Sequence, residues 1–248
     1  MSDPRTVTRA AIITGASRGI GAAVAERLSR DGLAVMINYA HGSDQAAALA
    51  EKIMAAGGRA VAVKADVADP AAVSALFDAA ETAFGGVDVL VNNAGVMTLT
   101  PIAAAEDERF DRMVAVNLKG VFNGMREAGR RLRDGGRVIS VSSSVVGLYQ
   151  PGYALYAATK AGVEAMTHVF AKEVGGRRIT VNAVAPGPVD TPLFTEGKSQ
   201  ELIGRIASSA PFGRLGEPED IARVVSFLAG PDGGWVSGQV LRANGGVI

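Results

Sequence analysis

Residues Thr14–Leu28 read TGASRGIGAAVAERL, and the reading of this stretch decides the fold. It follows the short apolar run AAIIT (Ala10–Thr14) and passes into a segment of helical pattern, so Gly15, Gly19 and Gly21 fall where a strand turns into a helix. Glycine there allows dihedrals that a side chain would strain, and lets a ligand approach the backbone closely. The free N–H groups at the start of the helix would then face that ligand, an arrangement that suits phosphate. Glycines alone could equally serve to pack a helix tightly on a strand. The spacing is G-x-x-x-G-x-G, not the G-x-G-x-x-G of the general dinucleotide fingerprint.

Outward from this junction the same unit recurs. Apolar, β-branched runs stand at Leu33–Asn38, Ala60–Ala65, Val87–Asn92, Arg137–Ser142, Arg178–Val184 and Gly238–Ala243, with helical patterns such as Ala46–Ala56 and Ala71–Phe84 between them. Strands this continuously apolar are covered on both faces. Their alternation with helices predicts an α/β chain: a single Rossmann-fold domain over residues 1–248, with a doubly wound, mostly parallel seven-stranded sheet and helices on both faces. Residues from Pro186 to about Pro218, rich in Pro and Gly, break the alternation and read as an insertion (186–218) capping the substrate end of the sheet. In such sheets ligands bind beyond the C-terminal strand ends, where strand order reverses.

Composition narrows the function. Lys+Arg and Asp+Glu both number 25, so no net charge points to nucleic acid or a membrane surface. The absence of cysteine excludes disulfides and thiolate chemistry, and His41 and His168 are too few for a histidine-rich metal centre, so no metal is expected. No signal-like segment and no long apolar run is present, which makes the cytoplasm the default expectation.

A second stretch, YAATKAGV (Tyr156–Val163), sets a phenol and an ammonium four positions apart on a helical pattern. Such residues share a face, with Cβ atoms about 5–6 Å apart. A cation held there is expected to lower the tyrosine pKa from its reference of about 10 and to make it a proton donor near neutral pH. Upstream, Ser142, Ser143 and Ser144 follow an apolar run; if the strand persists, period-2 alternation puts Ser143 on the opposite face from its neighbours.

These segments together resemble the short-chain dehydrogenases/reductases over nearly the whole chain: TGASRGIG, DV at Asp66–Val67, NNAG at Asn92–Gly95, Asn117 in VNLKG, the serines, Tyr156 and Lys160, and PGPVDTP at Pro186–Pro192. The resemblance implies that Tyr156 protonates a carbonyl oxygen as hydride arrives from a nicotinamide. It implies too that Lys160 tunes the tyrosine and holds the nicotinamide ribose, and that Asn117 anchors a water relaying protons through Lys160. Counting back thirteen residues from Tyr156 puts the family's carbonyl-holding serine at Ser143, although the local string SVVG argues for Ser144. Around the cofactor it implies Gly15, Ser17, Arg18, Gly19, Ile20 and Gly21 at the phosphates, Asn38, Tyr39 and Ala40 at the end of the second strand, and Asp66 and Val67 at the adenine. Asn93, Ala94 and Gly95 would line the adenosine ribose. Pro186, Gly187, Val189 and Thr191 would meet the nicotinamide and pyrophosphate. Asp66 could otherwise be a strand-end cap and Thr191 a helix N-cap.

The second strand ends INYAHGS, with no acid to hold a ribose 2′-hydroxyl, so NADPH/NADP is expected, with Arg18 as countercharge helped by Ser43 or His41. The implied activity is reduction of a ketone or aldehyde, or the reverse oxidation, with 3-oxoacyl-(acyl-carrier-protein) reductases as the nearest kind; the alternative is an NADPH-sensing protein without turnover. Val145, Leu148, Tyr149, Tyr153, Leu193, Phe194 and Leu202 are the expected lining for a small-molecule carbonyl substrate of apolar or aromatic character. Arg126, Arg130, Arg131, Arg133 and Arg137 read as a solvated helix end or, with Arg177 and Arg178, as a docking patch for an acyl carrier protein. His168 reads as a surface or interface residue. A homotetramer is expected, through the strand in WVSGQVLRANGG and the helices around Arg109–Leu132 and Tyr153–Val174.

Overall fold

The computed structural model describes residues 8–248; Met1–Val7 of the expected domain lie outside the described residues. The chain runs β1 (Ala10–Ile13), α1 (Gly19–Arg30), β2 (Ala34–Tyr39), α2 (Ser43–Ala55), β3 (Ala60–Lys64), α3 (Pro70–Phe84) and β4 (Val87–Asn92). Then come α4 (Asp107–Met113), one π-helical segment (Val114–Lys119), α5 (Gly120–Arg131), β5 (Leu132–Val141), α6 (Val145–Leu148) and α7 (Ala154–Glu173). It closes with β6 (Thr180–Pro186), α8 (Pro192–Thr195), α9 (Gln200–Ser209), α10 (Pro218–Ala229) and β7 (Gln239–Ala243). The sheet order is β3-β2-β1-β4-β5-β6-β7 and every neighbouring pair is parallel. Strand order reverses between β1 and β4, which brings the ends of those two strands to the crevice where ligands bind.

The two faces are sorted residue by residue. In β1, Ala11 and Ile13 pack with Val24 and Leu28 of α1, Leu49 and Ile53 of α2 and Val225 of α10, while Ile12 packs with Leu76 and Phe77 of α3, Met125 of α5 and Val163 of α7. An unbroken apolar run is required because both sides of each central strand are covered. Local chemistry sets the helix ends. Asp69 accepts from Ala71 N at 2.9 Å ahead of Pro70, and α3 stops at Gly85, whose φ of 78° suits only glycine.

One boundary differs from the sequence expectation. The strand expected from Arg137 begins five residues earlier, at Leu132, because Leu132 pairs with Val87 before the register shifts at Val89. The polar, glycine-containing RDGG between them (Arg133–Gly136) hides this in the sequence. Among the described residues no helix is long and apolar enough to cross a membrane, and no group of three or more His, Cys, Asp and Glu side chains could hold a metal ion.

Candidate active site

A cavity of about 750 Å³ opens above the C-terminal ends of the strands. Its floor at one end is the β1–α1 turn, where Gly15 and Gly19 have φ of 61° and 59°. A Cβ on Gly15 would stand 2.8 Å from Ala94 Cα, so the turn and the segment after β4 touch backbone to backbone. Gly21 does not line the cavity. It lets α1 sit against the same turn, since a Cβ there would meet Asn93 Nδ2 at 2.5 Å and Gly15 O at 2.6 Å. The side chains of Asn38 and Asn93 brace this loop. Asn38 accepts from Gly15 N at 3.2 Å and donates to Ala65 O at 3.0 Å, and Asn93 Nδ2 donates to Thr14 O and Gly15 O at 2.9 and 3.0 Å.

Ser17, Arg18, Ile20, Tyr39, Ala40, Asp66, Val67, Ala94, Gly95, Pro186, Gly187, Val189 and Thr191 all border the same cavity. Arg18 ends the loop with an exposed guanidinium that reaches Glu196, 3.5 Å away on the far rim. His41 borders the cavity, whereas Ser43 starts α2, is not on the lining and donates to Asp44 Oδ1 at 3.2 Å. Asp66 accepts from Ala68 N at 2.9 Å and pairs with Arg112 Nη1 at 3.0 Å. Those bonds hold its carboxyl below the usual range even though burial pushes the other way. Thr191 stands at the N-cap position of α8 but makes no capping bond with its side chain.

The other end of the cavity holds the serines and α7. The pairing of β5 with β6 continues past the last strand residue: Ser142 N donates to Val184 O at 2.7 Å and Ser144 N to Pro186 O at 2.8 Å. Alternation therefore survives through the run. Ser142 Oγ donates to Glu164 Oε1 at 2.6 Å, and Ser144 Oγ donates to Ala185 O at 3.2 Å while accepting from Asn244 Nδ2 at 3.0 Å. Ser143 Oγ accepts from Val145 N at 3.4 Å, its carbonyl accepts from Val146 N at 3.3 Å, and its hydroxyl faces Tyr156.

The expected effect of Lys160 on Tyr156 is corrected here. Lys160 is fully buried and its Nζ donates to Val141 O at 2.7 Å, lying 5.6 Å from the tyrosine ring centroid. Burial dominates both groups. It pushes Tyr156 up to about 12, against the pull of the Ser143 hydroxyl and with a smaller push from Tyr153. It also drops Lys160 to about 8. Desolvation disfavours whichever form carries charge, and that cost outweighs attraction across the pair.

Asn117 sits within the π-helical segment, completely buried. Its Oδ1 accepts from Val96 N at 2.8 Å, and its Nδ2 donates to Val96 O at 2.8 Å and Thr159 Oγ1 at 3.3 Å. The side chain is spent on these bonds.

Over the cavity hang α8 and α9, with Leu193, Phe194 and Leu202 on the lining; Val145, Leu148 and Tyr153 complete it from the β5–α7 side. Tyr149 is not part of the lining. It is 84% exposed, with φ of 51° at the end of α6, so its ring points to solvent. Sequence reasoning missed Met97, Leu99, Arg112, Lys198, Ile206 and Val247, which carry no motif. Lys198 donates to Phe194 O and lies 4.5 Å over the Phe194 ring, and burial lowers its pKa.

Within the arginine run, Arg130 is largely exposed at the end of α5, as a solvated helix end would be, Arg126 lies over the Phe122 ring and 3.8 Å from Glu127, and Arg178 is exposed. Arg131 pairs with Asp78 and Glu81 of α3 and with the buried Glu127, at 2.5, 2.7 and 3.6 Å. Arg130 pairs with Glu127, Arg133 with Asp88 and Arg177 with Asp134. Arg137 is part-buried and donates to Gly135 and Gly136 carbonyls. His168 Nδ1 lies 2.8 Å from Gly238 O and so joins α7 to the segment before β7.

A seven-stranded parallel sheet with a glycine turn at its switch point, and a Tyr, Lys and Ser facing one cavity, define a dinucleotide-binding oxidoreductase of the Rossmann class. The enoyl-(acyl carrier protein) reductase family model matches residues 15–248. A short-chain type dehydrogenase/reductase of Picea abies is 45% identical, covering 97% of this chain and 92% of its own. A chloroplastic NADPH-dependent aldehyde reductase-like protein of Arabidopsis thaliana is 44% identical, covering 97% and 94%. Among solved structures, an angucycline C-6 ketoreductase with bound NADP superimposes with a TM-score of 0.91 at 41% identity, covering 97% and 96%. The chain belongs to the short-chain dehydrogenase/reductase family.

Proposed function

We propose that this protein uses NADPH to reduce a ketone or aldehyde to an alcohol, with Tyr156 as proton donor. The observation that carries the reading is the meeting of Tyr156, Ser143 and Lys160 in a cavity that begins at the glycine turn. The residues fit the cofactor. Gly95 has no Cβ where one would come 3.7 Å from Lys160 Nζ, which leaves room beside that ammonium. The strand end at Tyr39 and Ala40 carries no acid to repel a 2′-phosphate, and Arg18 lines the same cavity. Relatives of this chain are described as NADPH-dependent or carry NADP, which supports the same choice.

When bound, the nicotinamide supplies the hydride. The protein's part is to hold and protonate the oxygen. Ser143 Oγ donates to the carbonyl oxygen and stabilises the charge that develops there. Burial keeps the Tyr156 phenol protonated, so it is a donor throughout the neutral range. The Lys160 ammonium then stabilises the phenolate left behind, and a water held by the Asn117 backbone restores its proton.

The lining supports a compact substrate of apolar or aromatic character. Arg126, Arg130, Arg131, Arg133 and Arg177 are engaged with carboxylates, which argues against a large acidic carrier. Phe110 and Phe122 on the α4–α5 run and Val169 on α7 are exposed, as is Trp235 beside the edge strand β7. They support assembly of a homotetramer across these two surfaces.

Following NADPH oxidation across acetoacetyl thioesters, aryl ketones, aldehydes and quinones tests the reading. Consumption with an aryl ketone or aldehyde is expected. Binding of NADPH without consumption with any carbonyl would favour the sensing alternative.

A further inference from the structure

The end of β5 meets α7 at three consecutive residues. Val141 O accepts from Lys160 Nζ at 2.7 Å, Ser142 Oγ donates to Glu164 Oε1 at 2.6 Å, and Ser143 faces Tyr156. On α7 the three partners, Tyr156, Lys160 and Glu164, follow one another at four-residue steps and so share one face. Two of these contacts belong to groups proposed for the chemistry. The third, Glu164, is one turn beyond them and serves nothing described so far.

Its bond is of the strong kind. A hydroxyl held at 2.6 Å by a carboxylate falls in the charge-assisted range, and Ser142 is only 2% exposed, so water does not compete freely for it. Ser142 is thereby tied on two sides, its N–H to Val184 of β6 and its hydroxyl to α7. Ser143 is the next residue, and its own bonds, from Val145 N to its hydroxyl and from Val146 N to its carbonyl, are long and local at 3.4 and 3.3 Å. Ser144 ties the run to β6 and to Asn244, but not to the helix that carries Tyr156. The Lys160–Val141 bond does reach that helix, yet its ammonium is needed by the reaction. The Glu164–Ser142 bond is the link that stays in place while Lys160 works.

We infer that Glu164 is a positioning residue: through Ser142 it sets the distance between the Ser143 hydroxyl and the Tyr156 phenol. This rests on the proposed roles of Ser143 and Tyr156. Misplacing a reacting pair by about 1 Å can cost as much as about 100-fold in rate.

The experiment compares Glu164→Ala, Glu164→Gln, Ser142→Ala and the double variant Ser142→Ala/Glu164→Ala. Each is assayed for kcat with the best carbonyl found for the unmodified protein, for NADPH affinity by fluorescence titration without carbonyl, and for urea midpoint. Glu164→Ala is expected to lower kcat by about 10-fold or more, with NADPH affinity within about two-fold of the unmodified protein. Glu164→Gln, whose amide oxygen still accepts from Ser142, is expected to keep most of kcat. Ser142→Ala is expected to match Glu164→Ala, and the double variant to be no worse than either, since one linkage is lost in all three. Unchanged kcat in folded Glu164→Ala, equal damage in Glu164→Gln, or losses that add in the double variant would each overturn the inference. Should Glu164→Ala not fold, Glu164→Gln and Ser142→Ala decide the matter. An unmodified protein that consumes no NADPH tells against the function itself, so the two failures are distinguishable.

Discussion

Lys160 reaches the carbonyl oxygen of Val141 at 2.7 Å and, among the described residues, has no carboxylate within ion-pair distance. A completely buried ammonium whose bonded partner among the described residues is a backbone carbonyl costs stability.

The pH dependence of stability follows from that cost. Lys160 titrates at 10.5 when unfolded and about 8 when folded. Between those values the unfolded chain binds more protons, so this group makes stability rise with pH; its contribution is present above 10.5 and lost as pH falls through 8. Tyr156 acts oppositely, with stability lost as pH climbs from 10 towards about 12. Lys160→Met should raise the urea midpoint at neutral pH, by roughly 1–3 kcal/mol in stability, and abolish the alkaline rise while destroying activity. Urea titrations at neutral pH and near pH 10 check both parts, and a less stable Lys160→Met would contradict them.

Ser143 and Ser144 should separate cleanly. Removing the one hydroxyl that faces Tyr156 is expected to cost about 100- to 1,000-fold in kcat with NADPH affinity unchanged. Ser144→Ala breaks bonds to Ala185 and Asn244 instead, so it should lose about 1 kcal/mol of stability and keep most activity. Steady-state kinetics on both variants decide; the reverse order would put the register off by one residue.

Arg18 is expected to select the cofactor. Arg18→Ala should raise KM for NADPH about 10-fold or more while changing KM for NADH little, because only NADPH carries the 2′-phosphate. Equal weakening of both cofactors would show that Arg18 serves the pyrophosphate or the cap, where Glu196 already meets it.

Arg131 holds α3 against α5. Its loss leaves Glu127, a buried carboxylate, with weaker partners and breaks contacts to Asp78 and Glu81. Arg131→Ala should lower stability by about 2–3 kcal/mol, or a Tm drop of several degrees, with kcat of the folded protein intact. Calorimetry checks the first part. A normal Tm with reduced activity on an acyl carrier substrate would revive the docking patch.

The alternation of apolar runs with helical patterns was enough to place all seven strands, because a strand covered on both faces must be apolar along its length and a parallel neighbour requires a helix in between. The glycine turn was equally plain, since its dihedrals and its contact with Ala94 admit no side chain. Local order also brought out Ser143, because β5 and β6 stay in register beyond the last strand residue. Sequence therefore determined the fold, the family and the residues that gather at the crevice.

Tertiary structure decided what those residues are like once gathered. Spacing on a helix sets Lys160 beside Tyr156, but desolvation reverses the expected shift in the tyrosine, and burial is a property of the packed molecule. The arginine run looked free because its acids, Asp78, Glu81 and Asp88, arrive from α3 and β4 some fifty positions away. Tyr149 looked like lining because the sequence does not reveal that α6 ends in a left-handed turn there. The Glu164–Ser142 bond joins residues 22 positions apart on different elements, and no local pattern marks it. A pattern along the chain reports which face a residue occupies; the dielectric around it and the charge opposite are contributed by distant segments and exist only after the layers close.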